Sequence, residues 1–302
     1  ALLRLTDYPG LNAFGVFKPG QEVGTTNLVL NVQKEKAYDL TANLDNYGSE
    51  FTGEGRARLN LSVNNPTKVG DRLWFGLLQT VNPSNGTYGS VGYERPFFSP
   101  KYTAGLSYSI NAFDVGEELA TLNIEGKTEV ASLFLKGSFI RGRKANLLGM
   151  MSLDVKHSLL EQNGLNIGDD NLSVLGAELS FVVVDSRFSG INQGSVRYSH
   201  GFDDFLGSMD KDGINEGSVG TSTRRGGSNL LAGGDFDKFN VRLSRLQSLT
   251  KNQSLLFVVE GQHSDDLLTS LEQMAIGGPT SVRAYSAAEL LRDKAWFASL
   301  EW

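Results

Sequence analysis

Apolar and polar residues alternate one by one along many stretches of this sequence, and this alternation constrains the fold more than any other feature. It is clear in residues 38–45 (YDLTANLD), 56–63 (RARLNLSV) and 102–110 (YTAGLSYSI). Successive side chains of a β-strand point to opposite faces, so each stretch predicts a strand with one apolar and one polar face. Similar stretches run near residues 173–184, 193–200, 236–246, 253–262 and 294–302. The pattern predicts an all-β protein of about twelve strands.

The predicted strands are about 9–13 residues long, which suits a tilted crossing of a bilayer better than a soluble β-sandwich. Their connections differ in length at the two ends. Short turns are predicted near residues 64–67, 98–100, 142–144, 185–187 and 251–253. Longer polar loops are predicted near residues 113–127, 159–171, 202–234 and 264–290. The first two loops at the long-loop end, near residues 47–53 and 83–87, are short and break this pattern. Otherwise, short turns at one end and long loops at the other are typical of outer-membrane β-barrels.

Composition narrows the classes of function. The chain has no Cys, which excludes a disulfide framework, a thiolate metal site and a cysteine nucleophile. Its net charge of -6 argues against nucleic acid as a partner. The mean hydropathy of -0.21 resembles that of a soluble protein. In a barrel with a wet interior, however, the polar side of each strand offsets the lipid-facing side in any such average.

The N-terminal segment follows a different pattern. Residues 2–11 could end a helix, and residues 13–18 and 25–32 predict two strands joined by Pro19-Gly20-Gln21-Glu22. Residues 1–35 are therefore predicted to be the tail of a small α/β domain that precedes the first barrel strand.

Residues 273–285 (QMAIGGPTSVRAY) are the most informative segment of the chain. They resemble the Gly-Gly…Ser-Val-Arg-Gly-Tyr/Phe motif of the outer-membrane assembly and secretion superfamily. Within it they resemble most the two-partner secretion transporters, the haemolysin-activator or FhaC-like group. The motif positions are Gly277, Gly278, Ser281, Val282, Arg283 and Tyr285. Ala284 stands where the family usually has Gly, which requires that the backbone there avoid angles open only to glycine.

The resemblance implies a domain organisation. Residues 1–35 would be the C-terminal remnant of a second periplasmic POTRA domain. Residues 36–302 would form a transmembrane antiparallel β-barrel, with about twelve of sixteen strands present. Residues 264–291 would form a loop folded back into the lumen, where Arg283 would contact an acidic motif on the inner wall. That motif is expected on a strand beyond residue 302. A complete twelve-stranded barrel is the competing interpretation, since the last predicted strand ends as an outer-membrane terminal strand should.

The resemblance also implies a function. Such proteins lie in the bacterial outer membrane and export one large unfolded partner, which carries an N-terminal secretion domain, without ATP. A monomer in contact with outer-membrane lipid is expected, with no cofactor, metal, catalytic residue or nucleic acid. The alternative is an insertase of the same superfamily that assembles other barrels. A diffusion porin and a barrel enzyme, such as a phospholipase or protease, are further alternatives.

Polar residues on the predicted strands indicate the lumen wall. The alternation assigns Arg56, Arg58, Arg197, Arg242 and Glu260 to the lumen. This polarity suits the passage of an unfolded polypeptide, but any water-filled barrel needs a polar interior. Ser199-His200 lacks the Gly-x-Ser-x-Gly pattern and is a weak candidate for a hydrolase site. The Gly-rich residues 213–234 have no phosphate-loop ending and predict a mobile external loop.

Overall fold

The computed structural model describes residues 2–215, 221–226 and 230–302. Residue 1 of the predicted POTRA remnant, and residues 216–220 and 227–229 of the predicted loop 202–234, lie outside the described residues. The strands are β1 Leu11–Pro19, β2 Thr26–Lys34, β3 Tyr38–Asp45, β4 Gly55–Asn64, β5 Arg72–Val81, β6 Gly86–Phe97, β7 Ser99–Asp114, β8 Ile124–Arg141, β9 Ala145–Gln162, β10 Leu165–Asp185, β11 Gly190–Phe202, β12 Phe236–Thr250, β13 Gln253–His263, β14 Met274–Ile276, β15 Leu290–Arg292 and β16 Ala295–Glu301. Helix α1 spans Leu2–Leu5, and a 3-10 helix spans Glu117–Leu122.

One antiparallel sheet of twelve strands dominates the fold, in the order β16-β13-β12-β11-β10-β9-β8-β7-β6-β5-β4-β3. Apart from the step between β13 and β16, each strand pairs with its neighbour in sequence, as in an up-and-down barrel. The all-β fold predicted from alternation is confirmed. Strand β3 covers the predicted residues 38–45, and β4 extends the predicted 56–63 by one residue at each end.

The register of the strands separates two faces of the sheet. Residues directly opposite each other in neighbouring strands share a face. One continuous row of such partners runs Asp45, Arg56 and Thr80 across β3, β4 and β5. We call this side the polar face; it includes Arg58, Arg72, Glu94, Ser107, Ser132, Lys156, Lys238 and Glu260.

The opposite side is the apolar face, which includes Leu59, Leu77, Leu106, Leu133, Leu153 and Leu179. No second layer of described residues covers these side chains: Leu133, for example, is 61% exposed. A contiguous apolar surface of this size marks contact with lipid or another apolar partner. Within the described residues, no helix is both long and apolar enough to cross a bilayer.

The long polar loop predicted at residues 159–171 is wrong. Strands β9 and β10 continue through most of this region and pair as far as Gln162 and Leu165. Asn163 and Gly164 alone connect them, with φ of 53° and 72°. Positive φ at both central residues matches the right-handed twist of a hairpin, so the turn can extend the strands rather than end them. Strand β10 reaches 21 residues, about twice the length that crosses a bilayer.

The N-terminal segment forms helix α1 and a β1–β2 hairpin. The hairpin matches the strands predicted at residues 13–18 and 25–32, whereas the helix covers only Leu2–Leu5 of the predicted 2–11 and Leu11 already begins β1. It contacts the short-turn end of the large sheet. Arg141 donates to both carboxylate oxygens of Asp7, with Nη2–Oδ1 at 2.6 Å. The Tyr8 ring lies against Gly70, where a Cβ would come within 2.1 Å of Cδ1 of the ring.

Buried apolar side chains are few, and they gather on the polar face rather than between two layers. Leu172 and Val174 of β10 pack there with Phe236 of β12. Two residues from the long loops, Met209 and Leu268, complete the cluster. This small core therefore holds the two long loops against the twelve-stranded sheet, which is called the wall below.

Candidate functional site

The segment 264–294, called here the motif loop, connects β13 to β16 and contains the predicted motif. Its two legs pair as strands β14 and β15. At the end of β14, Gly277 and Gly278 have φ of 118° and 87°, a region that disfavours side chains. Ser281 Oγ accepts from Gly277 N at 2.8 Å, and Gly278 N donates to Tyr285 O at 3.0 Å. These residues thus fold the motif into a compact turn.

The other motif residues lie on the far side of this turn. Tyr285 N donates to Val282 O at 3.1 Å, while the Tyr285 side chain is exposed. Ala284 is not among the residues with positive φ. Alanine therefore fits at the position where the family usually has glycine.

Arg283 reaches the polar face of the last strand. Its Nη2 donates to a carboxylate oxygen of Glu301 on β16. An acidic partner for Arg283 was expected on a strand beyond residue 302, whereas this pair lies within the chain. The Arg283 and Glu301 side chains are 68% and 44% exposed, so water weakens their attraction.

A second contact between the motif loop and the wall was missed by sequence reasoning. Glu272 is 2% exposed and binds two lysines of the polar face. Lys156 Nζ and Lys238 Nζ each lie 2.5 Å from one of its carboxylate oxygens. Gln262 Nε2 and Lys238 Nζ also donate to the backbone carbonyl of Glu272, at 2.9 and 3.0 Å. The root of the loop is therefore fixed to β9, β12 and β13.

Electrostatics keep Glu272 charged in this site. Burial alone would raise the pKa of its carboxyl, but the two lysines outweigh burial and hold that pKa below its ordinary value. A buried carboxylate is stable only when paired and hydrogen-bonded in this way. One signal in the sequence could have indicated the site: Lys156 and Lys238 fall on the polar side of their strands and need a counter-charge.

The segment 203–235 connects β11 to β12, and its described residues, called here the outer loop, also pack on the polar face. Asp170 of β10 is fully buried and accepts from Ser222 Oγ at 3.0 Å, Thr223 N at 3.0 Å and Thr223 Oγ1 at 2.6 Å. Met209 N donates to Asn171 O at 2.9 Å. The prediction that residues 213–234 are a mobile loop is thus wrong for the described part of that range, because a buried carboxylate and apolar contacts hold it to the sheet. The external position of the loop stays a prediction.

The five residues predicted to face the lumen share the polar face of the sheet. Arg56 and Arg58 lie on β4, Arg197 on β11, Arg242 on β12 and Glu260 on β13, and the strand register places all five on this one face. Most of these charges meet a partner on the same face. Arg56–Asp45 and Arg242–Glu260 join neighbouring strands at 2.6 Å, and Arg197 lies 3.2 Å from Asp154, which is two strands away on β9. The wall is polar, with its charges largely paired. Its role as a lumen lining remains a prediction.

Ser199 and His200 point to opposite faces and do not form a dyad. Ser199 is opposite Lys238 on the polar face, whereas His200 Nδ1 lies 3.0 Å from Asp237 Oδ1 on the other side. His157 also lies on that side, with Nε2 3.1 Å from Asp169 Oδ1. Among the described residues, no group of three or more His, Asp or Glu side chains could hold a metal ion.

Open space separates the tip of the motif loop from the strands β4 to β7. A cavity of about 800 Å³ lies there, between Ala287 and Ala288 of the loop and Arg56, Arg58 and Tyr88 of the wall. The motif loop is thus anchored to β9, β12 and β13 at its root, while its tip faces a gap on the opposite side.

A twelve-stranded up-and-down sheet, with an apolar outer belt and a polar face that holds a folded loop, defines an outer-membrane β-barrel protein. The family model for the haemolysin secretion/activation protein ShlB/FhaC/HecB matches residues 24–301. The chain belongs to this family of outer-membrane transporters.

Known relatives agree with this assignment. The heme/hemopexin transporter protein HuxB of Haemophilus influenzae strain 86-028NP is 23% identical over 99% of this chain. The hemolysin transporter protein ShlB of Serratia marcescens is 25% identical over 92% of it. The chain spans about half the length of these curated relatives, 51% and 48%.

Solved structures share the fold. CdiB from Escherichia coli superposes with a TM-score of 0.79 at 17% identity, over 98% of this chain and 53% of that one. BamA from Haemophilus ducreyi, lacking POTRA domains 1–3, gives 0.55 at 10% identity, over 94% and 52%. The outer-membrane location and the transmembrane barrel fold predicted from the sequence are therefore confirmed.

Proposed function

We propose that this chain is the pore-forming part of a two-partner secretion transporter, which exports one large secreted protein across the outer membrane. One observation carries the proposal: in a member of this family, the motif loop folds onto the polar face and is held there by Glu272 and Arg283. A loop held inside a polar-lined barrel can close the pore until a partner arrives. No nucleotide is required, because folding of the partner outside the cell supplies the driving force.

The proposal assigns the parts of the chain. Residues 1–35 are the end of a POTRA domain, residues 36–302 are barrel, and residues 264–291 lie in the lumen. Arg56, Arg58, Arg197, Arg242 and Glu260 line the pore, and Gly277, Gly278, Ser281, Val282, Arg283 and Tyr285 form the gate motif. The contact of Asp7 with Arg141 supports a fixed seat for the periplasmic segment below the barrel.

The partner is a protein with an N-terminal secretion domain, and the barrel contacts it without cofactor, metal or catalysis. The names of relatives support this class of partner: one transports a hemolysin and another is a heme/hemopexin transporter. The barrel works as a monomer in outer-membrane lipid, because its apolar face suits lipid around the whole wall.

Deletion of the gene tests the proposal. The partner protein should then accumulate in the periplasm, and the intact gene should restore its secretion. Normal secretion without the gene would overturn the proposal. A broad loss of other outer-membrane barrels would instead indicate an insertase, the function that the weaker likeness to BamA would favour.

A further inference from the structure

The outer loop and the motif loop contact each other as well as the wall. Arg224 of the outer loop forms a bidentate pair with Asp293 of the motif loop, in which Nη2–Oδ2 is 2.8 Å and Nη1 donates to Oδ1. Nη1 also donates to the backbone carbonyl of Leu268 at 2.5 Å. A bidentate arginine pair fixes orientation as well as distance, since two parallel bonds must be kept at once.

Asp293 connects the two legs of the motif loop. Gln273 Nε2 and the backbone N of Leu268, both on the leg that leaves β13, donate to Asp293 Oδ1 at 3.1 and 3.3 Å. Asp293 itself lies on the leg that returns to β16. Arg224 therefore contacts both legs at the point where they leave the wall.

Partial burial makes this contact stronger than an exposed pair. The Arg224 and Asp293 side chains are 27% and 21% exposed. Burial alone would raise the pKa of Asp293, but the hydrogen bonds and charge of Arg224 hold that pKa below its ordinary value. The carboxylate thus stays charged and paired at neutral pH.

Apolar packing joins the loops at a second place. Met209 of the outer loop and Leu268 of the motif loop are both fully buried and belong to one cluster. Gly226 adds a close approach, since a Cβ there would lie 2.9 Å from Leu267 Cδ2. The described parts of the two loops therefore share polar and apolar contacts.

We propose that the outer loop and the motif loop form a single plug, in which Arg224 is the positioning residue that holds the root of the motif loop. The proposal rests on the proposed role of the barrel as a gated pore, and it makes the outer loop part of the gate. Loss of Arg224 then loosens the motif loop even though Arg283 and Glu272 are intact.

The test uses the full-length protein, purified without any secretion partner. Variants Arg224→Gln and Asp293→Asn remove the pair, and Arg225→Gln is a matched control in the same loop. Spin labels at Ser286→Cys on the loop tip and Ser107→Cys on the polar face report their separation by pulsed EPR. Planar-bilayer recording measures how often each pore conducts.

Arg224→Gln and Asp293→Asn should each broaden the distance distribution and raise the conducting fraction about tenfold, as expected for loss of a charged hydrogen-bonded pair. The variant that carries both Arg224→Gln and Asp293→Asn should conduct no more often than either single variant. Arg225→Gln should match the wild type in both measurements. A narrow distribution and unchanged conductance in Arg224→Gln would overturn the proposal.

A charge swap distinguishes loss of the Arg224–Asp293 pair from misfolding of the variants. The heat-dependent mobility shift of barrels in gels reports folding of every variant, and Arg224→Glu combined with Asp293→Arg should restore the narrow distribution. A folded swap variant that stays broad would also contradict the proposal. Because no partner is present, these results do not depend on whether the pore exports a protein.

Discussion

Lys238 donates to both the side chain and the main chain of Glu272, with Nζ 2.5 Å from Oε2 and 3.0 Å from the carbonyl oxygen. The lysine comes from β12 of the wall and the glutamate from the motif loop. Both are almost completely buried. This buried contact attaches the loop to the wall more firmly than the exposed arginine of the motif does.

Replacement of Glu272 by Gln should therefore release the root of the loop. The buried Lys238 and the partly exposed Lys156 would lose their counter-charge, and breaking a buried pair in this way costs about 3–5 kcal/mol. The conducting fraction in planar bilayers should rise, while the barrel stays folded. Glu289→Gln, an exposed change in the same loop, is the control and should leave conductance unchanged. Equal conductance in both variants would contradict this role of Glu272.

Replacement of Arg283 by Ala should have little effect on stability. An exposed ion pair contributes about 0–1 kcal/mol, so the thermal unfolding of the barrel should not shift measurably. Secretion of the partner should fall, because the tip of the loop loses its contact with Glu301. The swap Arg283→Glu with Glu301→Arg should recover part of the secretion. A large drop in unfolding temperature for Arg283→Ala would show that the pair is structural.

The closed loop should resist mild acid. The two lysines hold the pKa of Glu272 below the ordinary value of a glutamate, so the attachment is complete above that ordinary pKa. It is lost only as the pH falls through the lowered pKa of the folded state. Conductance should therefore stay constant from neutral pH to about pH 5 and rise only in stronger acid. A rise near pH 6 would indicate that another group controls the loop.

Replacement of Asp170 by Ala should detach the outer loop without unfolding the barrel. The change removes three hydrogen bonds to Ser222 and Thr223 from a fully buried site, at about 1 kcal/mol or more each. Trypsin added to whole cells should then cleave faster near Arg224 and Arg225. Asp212→Asn, an exposed change in the same loop, should be cleaved at the wild-type rate. Equal rates for both variants would refute the anchoring role.

Two adjacent substitutions test which face meets lipid. Leu133 lies on the apolar face between Leu106 and Leu153, whereas Ser132 lies on the polar face opposite Asp154. Leu133→Arg should destabilise the barrel in lipid vesicles by about 2–4 kcal/mol, the cost of a charge near the bilayer midplane. Ser132→Arg should be tolerated. Urea unfolding in vesicles measures the stability of both variants. If Ser132→Arg destabilises the barrel more than Leu133→Arg does, the two faces are assigned the wrong way round.

Alternation predicted the strands well because burial on one face imposes a period of two on the sequence. Strand β3 and the turn at residues 142–144 are observed where they were expected. The hairpin of β9 and β10 was missed at residues 159–171, because the alternation fades where the strands run well beyond the length that crosses a bilayer. In this region a two-residue turn determines where the hairpin ends. The dipeptide Asn163-Gly164 is the only indication of that turn in the sequence.

The site was predictable where a motif marks it and not elsewhere. The motif located Arg283, but Glu272 lies in a loop without periodicity, and its importance comes from lysines more than 30 residues away in sequence. Asp170 was also missed, because its partner Ser222 lies 52 residues further along the chain. Such contacts depend on the register of distant strands, which local patterns do not encode.

In the pore proposed above, the pairing of charges along the wall has a consequence for the exported chain. Arg56 and Arg242 already hold Asp45 and Glu260, so neither an acidic nor a basic stretch of a moving chain gains much by stopping there. A surface whose charges are already paired binds the charged residues of a passing chain only weakly. The speed of transit should then depend weakly on the order of charges in the cargo.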